Sequence, residues 1–227
     1  MKKHLFVAAV LGALLALLSP SPASAAGALS PASAGDPVVF VHGWNSDSST
    51  WNTMVGRFRA DGWADSRLDQ WGYDYRQSNA TTAQQLSAEI DRVLAATGAA
   101  KVDVVTHSMG GLSSRYYAKN LGGTAKIDAW VSLGGPNHGT DTANACFDTS
   151  CVEMRPGSSF LNALNSGDET PGSIRYATWW SPCDVVVNPD SSVPLSGAAN
   201  TQTACLSHGD LHEDATVYGQ VRNMIDS

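Results

Sequence analysis

The sequence is short of charge, and above all of positive charge. Charged residues make up 15% of its 227 residues, and 21 acidic residues outnumber 14 lysines and arginines, for a net charge of −7. No basic tract is present, so nothing in the sequence suits the phosphate backbone of a nucleic acid. Hydrophobic residues reach 43%, enough for a packed core, which excludes wholesale disorder. The composition therefore predicts an acidic globular protein of one domain that does not bind nucleic acid.

Long apolar runs are almost absent, and the one that exists lies near the start of the chain. It covers residues 5–18, which is shorter than the ~20 residues that a membrane-spanning helix needs. Two lysines precede it and Ala23-Ser24-Ala25 follows it, a pattern typical of a secretory signal peptide and its cleavage site. We therefore expect a secreted, extracellular protein. The predicted segments are a signal peptide over 1–25, a flexible lead-in over 26–36 and a folded domain over 37–227.

From residue 37 onward, apolar β-branched runs alternate with helical patterns. Residues 38–41 form a continuous apolar run, typical of a strand buried on both faces. Further strands are predicted over 68–73, 101–106, 127–133, 174–180 and 201–206. Helices are predicted over 49–60, 81–97 (capped by Thr81 or Thr82), 109–121 and 158–165, with a last one after Asp214. This alternation predicts an α/β fold with a mostly parallel sheet, which binds ligands at the carboxyl ends of its strands.

The segment His107-Ser108-Met109-Gly110-Gly111 joins a predicted buried strand directly to a predicted helix. A serine between strand and helix, with small residues around it, is typical of the turn that presents a hydrolase nucleophile. The common pattern has glycine two residues before the serine, where this chain has a threonine. The alternative is a serine that merely caps a helix, but the surrounding pattern favours Ser108 as a nucleophile.

A serine nucleophile that attacks a carbonyl needs two N–H groups to stabilise the oxyanion that forms. One comes from the residue after the nucleophile, here Met109. The other comes from the loop after the first buried strand, which reads His42-Gly43-Trp44. Because Gly43 permits a sharp backbone bend there, we predict that the backbone N–H of Trp44 is the second donor.

In the expected chain order, an acid follows the serine and a histidine follows the acid. His208 lies on the loop before the last helix and is the predicted base, whereas His212 lies almost at the helix start and stays the alternative. Asp184 comes just after the predicted strand that ends near residue 181, so it is the predicted acid. Asp190 is the runner-up, better explained as a turn residue after a proline.

The four cysteines are too few for a disulfide-built miniprotein, but their number is even and export favours pairing. One adjoins the predicted acid and another lies three residues before the predicted base, so a bridge between them would pin the two loops together. Of the three connectivities, we favour Cys146–Cys151 with Cys183–Cys205. The chain lacks C-x-x-C pairs, so we predict no metal site.

Taken together, these motifs resemble the small secreted bacterial lipases (class 2 type) of the α/β-hydrolase superfamily. The resemblance covers residues 37–226 and is carried by the segments 39–43, 106–111, 133–139, 156–161 and 181–184. It implies a minimal α/β-hydrolase catalytic domain, with about six strands flanked by helices. It also implies hydrolysis of carboxylic esters, acylglycerols included, without a cofactor. Only residues 136–172 could cover the site, so we expect no large lid.

The substrate implied by the resemblance is a lipid or a small ester, with a lipid–water interface as a candidate surface and a monomer as the acting form. Short-chain esters, phospholipids and polyesters are alternative substrates, because a catalytic triad does not select among esters. A further alternative is a non-catalytic binding protein on the same scaffold. We expect the substrate to be lined by His42, His138, Phe160 and Trp180.

Overall fold

The computed structural model of the chain describes Met1 and residues 35–226. The predicted signal peptide, after Met1, and almost all of the predicted lead-in lie outside the described residues. Among the residues that the structure describes, no helix is long and apolar enough to span a bilayer.

Six strands form the centre of the fold. They are β1 Val38–Val41, β2 Leu68–Trp71, β3 Val102–His107, β4 Ile127–Leu133, β5 Arg175–Trp180 and β6 Ala199–Gln202. They lie in the order β2-β1-β3-β4-β5-β6, and every neighbouring pair is parallel. The strands β1 and β3 are buried at every residue, as their apolar runs predict. The predicted α/β architecture is confirmed, with a sheet that is parallel throughout.

Helices cover both faces of this sheet. They are α1 Asn52–Ala60, α2 Asn79–Thr97, α3 Gly110–Asn120, α4 Thr149–Glu153, α5 Ser159–Asn165 and α6 Ala215–Ile225. Successive side chains of a strand point to opposite faces, so Val38 and Phe40 pack in one cluster with α1 and α6. Val39 and Val41 pack in the other cluster, with α2 and α3. The carboxyl ends of the strands, where a ligand is expected to bind, thus lie between two packed layers of helices.

The start of α2 differs from the sequence prediction, which proposed Thr81 or Thr82 as its cap. The cap is Ser78, whose backbone is extended and whose Oγ accepts a hydrogen bond from the Thr81 N–H at 3.1 Å. Either hydroxyl type can cap a helix, so the apolar periodicity alone could not select among neighbouring serines and threonines.

Two further elements differ from the sequence prediction. The last strand is Ala199–Gln202, not residues 201–206, and it pairs with β5 along one edge only. It is a mostly exposed edge strand of polar residues, so it carries no apolar alternation by which its bounds could be read. The short helix α4 was not predicted, because five residues are too few to show a helical period.

Asp103 is an acid buried inside the sheet. It lies on β3 with 1% of its surface exposed, at a register irregularity between β3 and β4. Its Oδ1 accepts a hydrogen bond from the Ala129 N–H at 3.0 Å, while its Oδ2 has no partner among the described residues. Burial, and then the carboxylate of Asp36, raise the pKa of Asp103 to about 8.

A raised pKa makes the folded state hold a proton that the unfolded state has lost. Above the unfolded value of ~3.9, the free energy of unfolding should fall as the pH rises, by up to about 1.4 kcal/mol per pH unit. This fall should end above the folded pKa of about 8. Asp103→Asn keeps an oxygen for Ala129 and cannot ionise, so it should raise the melting temperature in alkaline buffer more than in weakly acidic buffer. Asp141→Asn, on the surface, is the matched control, and an equal gain at both pH values would contradict the prediction.

Candidate active site

The turn between β3 and α3 presents Ser108 at the carboxyl end of the sheet. The strand ends at His107 and the helix begins three residues later. Ser108 has a φ of +54°, a left-handed conformation that is strained for a residue with a side chain. Its N–H donates to the Leu133 carbonyl at 2.9 Å, and its own carbonyl accepts from the Gly111 N–H at 3.0 Å. These bonds to β4 and α3 hold the strained serine in place.

Two glycines allow the loops around Ser108 to pack against each other. A Cβ on Gly110 would lie 2.5 Å from the Val41 carbonyl oxygen and 2.6 Å from that of His42. A Cβ on Gly43 would lie 2.8 Å from the Cβ of Ser108. Only glycine at these two positions therefore lets the start of α3 and the loop after β1 meet at the serine.

The predicted acid and base are in direct contact. His208 Nδ1 donates to Asp184 Oδ2 at 2.7 Å, and the two side chains are only 12% and 2% exposed. The other oxygen of Asp184 accepts from the backbone N–H groups of Val186 at 2.8 Å and Val187 at 3.0 Å. Burial by itself would raise the pKa of Asp184, but the hydrogen bond and charge of His208, with the two N–H groups, hold this pKa below its usual value. The carboxylate is thus kept ionised and faces the imidazole.

One cavity of about 240 Å³ brings Ser108 and His208 together, and both line its wall. Much of the remaining wall is apolar and comes from loops that follow the strands: Trp44, Ala143, Ala145, Met154 and Val187. The cavity therefore presents a hydroxyl and an imidazole to a mostly apolar ligand. Within residues 35–226, no three His, Cys, Asp or Glu side chains gather as a metal ion would require.

Both predicted oxyanion donors lie beside Ser108. Trp44 lines the cavity, and Met109 is completely buried directly before α3. Within residues 35–226, neither backbone N–H has a hydrogen-bond acceptor. The residue after Trp44 is Asn45, whose φ of +54° bends the loop sharply. Two backbone N–H groups without a hydrogen-bond acceptor therefore lie near Ser108, at the carboxyl ends of the strands.

The structure contains the two favoured disulfides, Cys146–Cys151 and Cys183–Cys205. The second links the loop that carries the predicted acid to the loop that carries the predicted base. The first closes the turn that leads into α4, and both of its cysteines line the cavity. The two disulfides thus hold three segments around the cavity: the loops that carry Asp184 and His208, and the turn that leads into α4.

A third histidine, His107, supports the loop that carries the predicted base, a role that was not predicted from the sequence. His107 is buried, and its Nε2 donates to the backbone carbonyl of His208 at 2.9 Å. Its ring lies 4.5 Å from that of His208 and 4.6 Å from that of His212. Burial, and then the neighbouring histidines, hold the pKa of His107 well below its usual value, so the ring is neutral. Its place directly before the predicted nucleophile was the only signal in the sequence.

The two histidines expected to line the substrate lie elsewhere. The ring of His42 is buried and stacks on Tyr73 with centroids 4.1 Å apart, and burial lowers its pKa. His138 contacts the Glu169 carboxylate, with 2.8 Å between Nε2 and Oε1. Neither histidine is among the residues that line the cavity.

The two aromatic residues expected to line the substrate are also absent from the cavity wall. Phe160 stacks on Tyr116 with centroids 5.7 Å apart, and Trp180 lies at the end of β5, opposite Gln202 of the edge strand. The cavity wall instead includes Met154 and His212. The sequence could not separate these sets, because a cavity wall depends on how the loops fold over the sheet.

Comparison with known proteins identifies sequence relatives. A family model described as "Lipase (class 2)" matches residues 35–221. Two proteins named triacylglycerol lipase, from Pseudarthrobacter phenanthrenivorans and Burkholderia plantarii, are each 41% identical over 61 residues, which is 27% of this chain. The match spans only 18% and 16% of the length of those two relatives.

Comparison of structures identifies the fold. The mature form of the Bacillus licheniformis lipase BlEst2 superposes with a TM-score of 0.73, over 87% of this chain and 95% of that one. The two sequences are 18% identical, so this likeness speaks for the fold alone. The fold is that of an α/β-hydrolase, with a sheet of six strands.

The close packing at Gly110 can be tested by adding one carbon atom. Gly110→Ala should lower the free energy of unfolding by about 1–3 kcal/mol or more, because its Cβ would clash with two backbone oxygens. Gly219→Ala in α6 is the matched control, since a Cβ there meets nothing within 4 Å and alanine favours a helix by ~1 kcal/mol. Urea unfolding measures both variants. A Gly110→Ala variant as stable as the parent would contradict the close approach.

Proposed function

The chain belongs to the lipase (class 2) family, a family of carboxylic ester hydrolases, and we propose that it hydrolyses lipid esters, triacylglycerols among them. The observation that supports this most is the 2.7 Å contact between His208 and Asp184 beside a cavity that His208 shares with Ser108. The apolar cavity wall suits an acyl chain. The names of the two triacylglycerol lipase relatives point to the same substrate class.

In the proposed mechanism, Ser108 Oγ attacks the ester carbonyl carbon while His208 Nε2 accepts the serine proton. The backbone N–H groups of Trp44 and Met109 stabilise the oxyanion of the tetrahedral intermediate. The alcohol then leaves with the proton from His208, and an acyl-enzyme on Ser108 remains. His208 next takes a proton from water, whose oxygen attacks the acyl carbon. The second tetrahedral intermediate then releases the carboxylic acid, as Ser108 Oγ takes that proton back from His208.

Asp184 has two tasks in this scheme. It holds the imidazole with the proton on Nδ1, which leaves Nε2 free to act as the base. It also stabilises the imidazolium that forms, because its pKa is held low and it stays ionised. The two backbone N–H groups on its other oxygen fix the carboxylate, so the orientation of the imidazole follows from the backbone.

We also propose that the enzyme acts outside the cell. The predicted signal peptide over residues 1–25 supports export, and two disulfides suit an oxidising compartment. The monomeric state expected from the sequence stays a prediction.

The rim of the cavity supports a lipid surface as the partner. Apart from Met1, the large hydrophobic side chains that are exposed in the described chain are Phe147, Val152, Val185 and Val186. Val186 lines the cavity itself, and the other three are chain neighbours of lining residues. These four residues, here called the apolar rim, thus either line the cavity of the proposed active site or directly adjoin, in the chain, residues that line it.

The charged groups next to Phe147 are already engaged. Arg155 donates to the carbonyls of Ala143 at 3.1 Å and Cys146 at 2.9 Å, and Asp148 accepts from the Trp44 indole at 3.0 Å. The chain as a whole is acidic, with a net charge of −7. An anionic membrane would repel such a protein, so we propose a neutral or zwitterionic lipid surface.

Replacement of Ser108 tests the mechanism. Ser108→Ala should lower ester hydrolysis by at least about 10³-fold and abolish labelling by a serine-directed phosphonate, because the nucleophile is lost. A series of nitrophenyl esters of rising chain length, followed by emulsified triglyceride, measures the substrate range. A Ser108→Ala variant with full activity would refute the mechanism, and activity on acetate alone would refute the lipase assignment.

The two candidate bases can be separated by the same assay. His208→Ala should be as inactive as Ser108→Ala, whereas His212→Ala should keep most of the activity, because only His208 contacts Asp184. Melting temperatures of both variants control for folding. An inactive His212→Ala beside an active His208→Ala would reverse the assignment.

Substitutions in the apolar rim test the lipid surface. Phe147→Ser with Val185→Ser removes two side chains that are 85% and 81% exposed. Burial of such a side chain contributes about 1.5–3 kcal/mol, so binding to phosphatidylcholine vesicles should fall at least about tenfold. Binding is measured by flotation in the inactive Ser108→Ala background, and hydrolysis of soluble nitrophenyl acetate in the active background should stay unchanged. Unaltered vesicle binding, or tighter binding to anionic vesicles, would count against the rim.

A further inference from the structure

The Trp44 side chain is held from outside its own loop. Its indole Nε1 donates to Asp148 Oδ2 at 3.0 Å, across 104 positions of sequence. A bond from an N–H to a carboxylate is about twice as strong as one between neutral groups. The position of the Trp44 backbone, and of the N–H that we propose as an oxyanion donor, is thus tied to a distant segment.

Asp148 is free to make this bond because it does not cap its own helix. It occupies the residue before α4, where an aspartate usually accepts from the helix N–H groups, yet its side chain makes no such bond. Capping of this kind contributes about 1 kcal/mol, and here the carboxylate binds Trp44 instead. The structure thus favours the long-range contact over the local one.

The segment that carries Asp148 is held firmly. Asp148 lies between the two cysteines of the Cys146–Cys151 disulfide, and Ser150 in the same loop donates to the Tyr75 carbonyl at 2.6 Å. Glu153 then accepts from the Asn79 backbone N–H at 2.7 Å and from its side-chain amide at 2.8 Å. The carboxylate therefore belongs to a fixed loop that can act as an anchor.

A second link between the same two segments runs through Tyr75, which lies on the loop after β2. The Tyr75 ring meets the Trp44 ring edge-on, with centroids 5.8 Å apart, and its hydroxyl donates to Asn45 Oδ1 at 3.2 Å. Tyr75 is also the residue whose carbonyl binds Ser150. Both residues after Gly43 in the proposed oxyanion loop are thus linked to the disulfide loop.

We propose that Asp148 is a positioning residue for the oxyanion donor Trp44, and that the Cys146–Cys151 loop holds Asp148 for this purpose. The inference rests on the proposed function. An oxyanion donor acts only when its N–H lies about 2.7–3.1 Å from the developing charge, so a small shift of the loop weakens it. Asp148 stabilises the transition state through Trp44 and does not itself contact the substrate.

Asp148→Ala, assayed on a soluble nitrophenyl butyrate, tests the proposal. We expect kcat to fall about tenfold, a fraction of the 10²–10³-fold loss that removal of a donor causes, while KM stays within about twofold. Affinity for a boronic acid that forms a tetrahedral adduct with the serine should fall by the same factor. Asp148→Asn keeps an acceptor oxygen for the indole and should restore most of kcat, which a merely structural loss would not do.

A double-mutant cycle identifies Trp44 as the partner. Trp44→Phe removes the indole N–H and keeps an aromatic ring, so Asp148→Ala should lower kcat no further in that background. Equal losses in the Trp44 and Trp44→Phe backgrounds would overturn the proposal. If Asp148→Ala fails to fold, Trp44→Phe alone carries the test, and an unchanged kcat in that variant would overturn the proposal.

Asp141→Ala is the matched control, because it removes the same charge from an exposed position before the same loop and should leave kcat unchanged. An Asp148→Ala variant with the parent kcat, or with a change in KM alone, would refute the positioning role. Such a result would leave the proposed function intact if Ser108→Ala is inactive. Full activity of Ser108→Ala would refute the proposed function itself.

Discussion

The strained backbone at Ser108 is the constraint on which the rest of the site depends. A φ of +54° persists because the serine N–H bonds to β4, its carbonyl bonds to α3, and Gly110 lies against the end of β1. The geometry of the turn therefore depends on the register of three adjacent parallel strands, β1, β3 and β4. Strain of this kind costs about 1–3 kcal/mol, which the packed sheet offsets. The turn that exposes the proposed nucleophile thus rests on the centre of the sheet.

The proposed acid–base pair is held by a different set of contacts. Asp184 and His208 lie on loops after β5 and β6, at the exposed edge of the sheet, where strand packing alone gives little support. The Cys183–Cys205 disulfide, the two N–H bonds to Asp184 and the His107 bond to the His208 carbonyl replace that support. Hydrogen bonds and charge outweigh burial in setting the pKa of Asp184, so the carboxylate stays ionised although it is largely hidden from water.

Where the signal was local, the sequence predicted both the fold and the residues that come together at the proposed site. Three features can be recognised from a few neighbouring residues. They are the strand–helix turn around Ser108, the loop at Gly43 and the position of Asp184 after a strand. The cap at Ser78, the cavity wall and the bond from Trp44 to Asp148 were not predicted, because each depends on which loops meet in space. His107 shows the same limit, since its role comes from a carbonyl 101 residues away. Sequence patterns thus predict which residues are used, and packing decides what they touch.

The Cys146–Cys151 loop and the first turn of α4 form part of the wall of the proposed active site and are tied to the rest of the fold. Three polar contacts tie this segment to the body of the fold: Asp148 to Trp44, Ser150 to Tyr75, and Glu153 to Asn79. A lid that swings would have to break all three, together with a covalent constraint at one end. These contacts hold this part of the cavity wall in one arrangement, so the proposed docking to a lipid surface does not require the segment to move. Pre-organisation of this kind places the cost of ordering the wall in folding, so that substrate binding does not have to supply it.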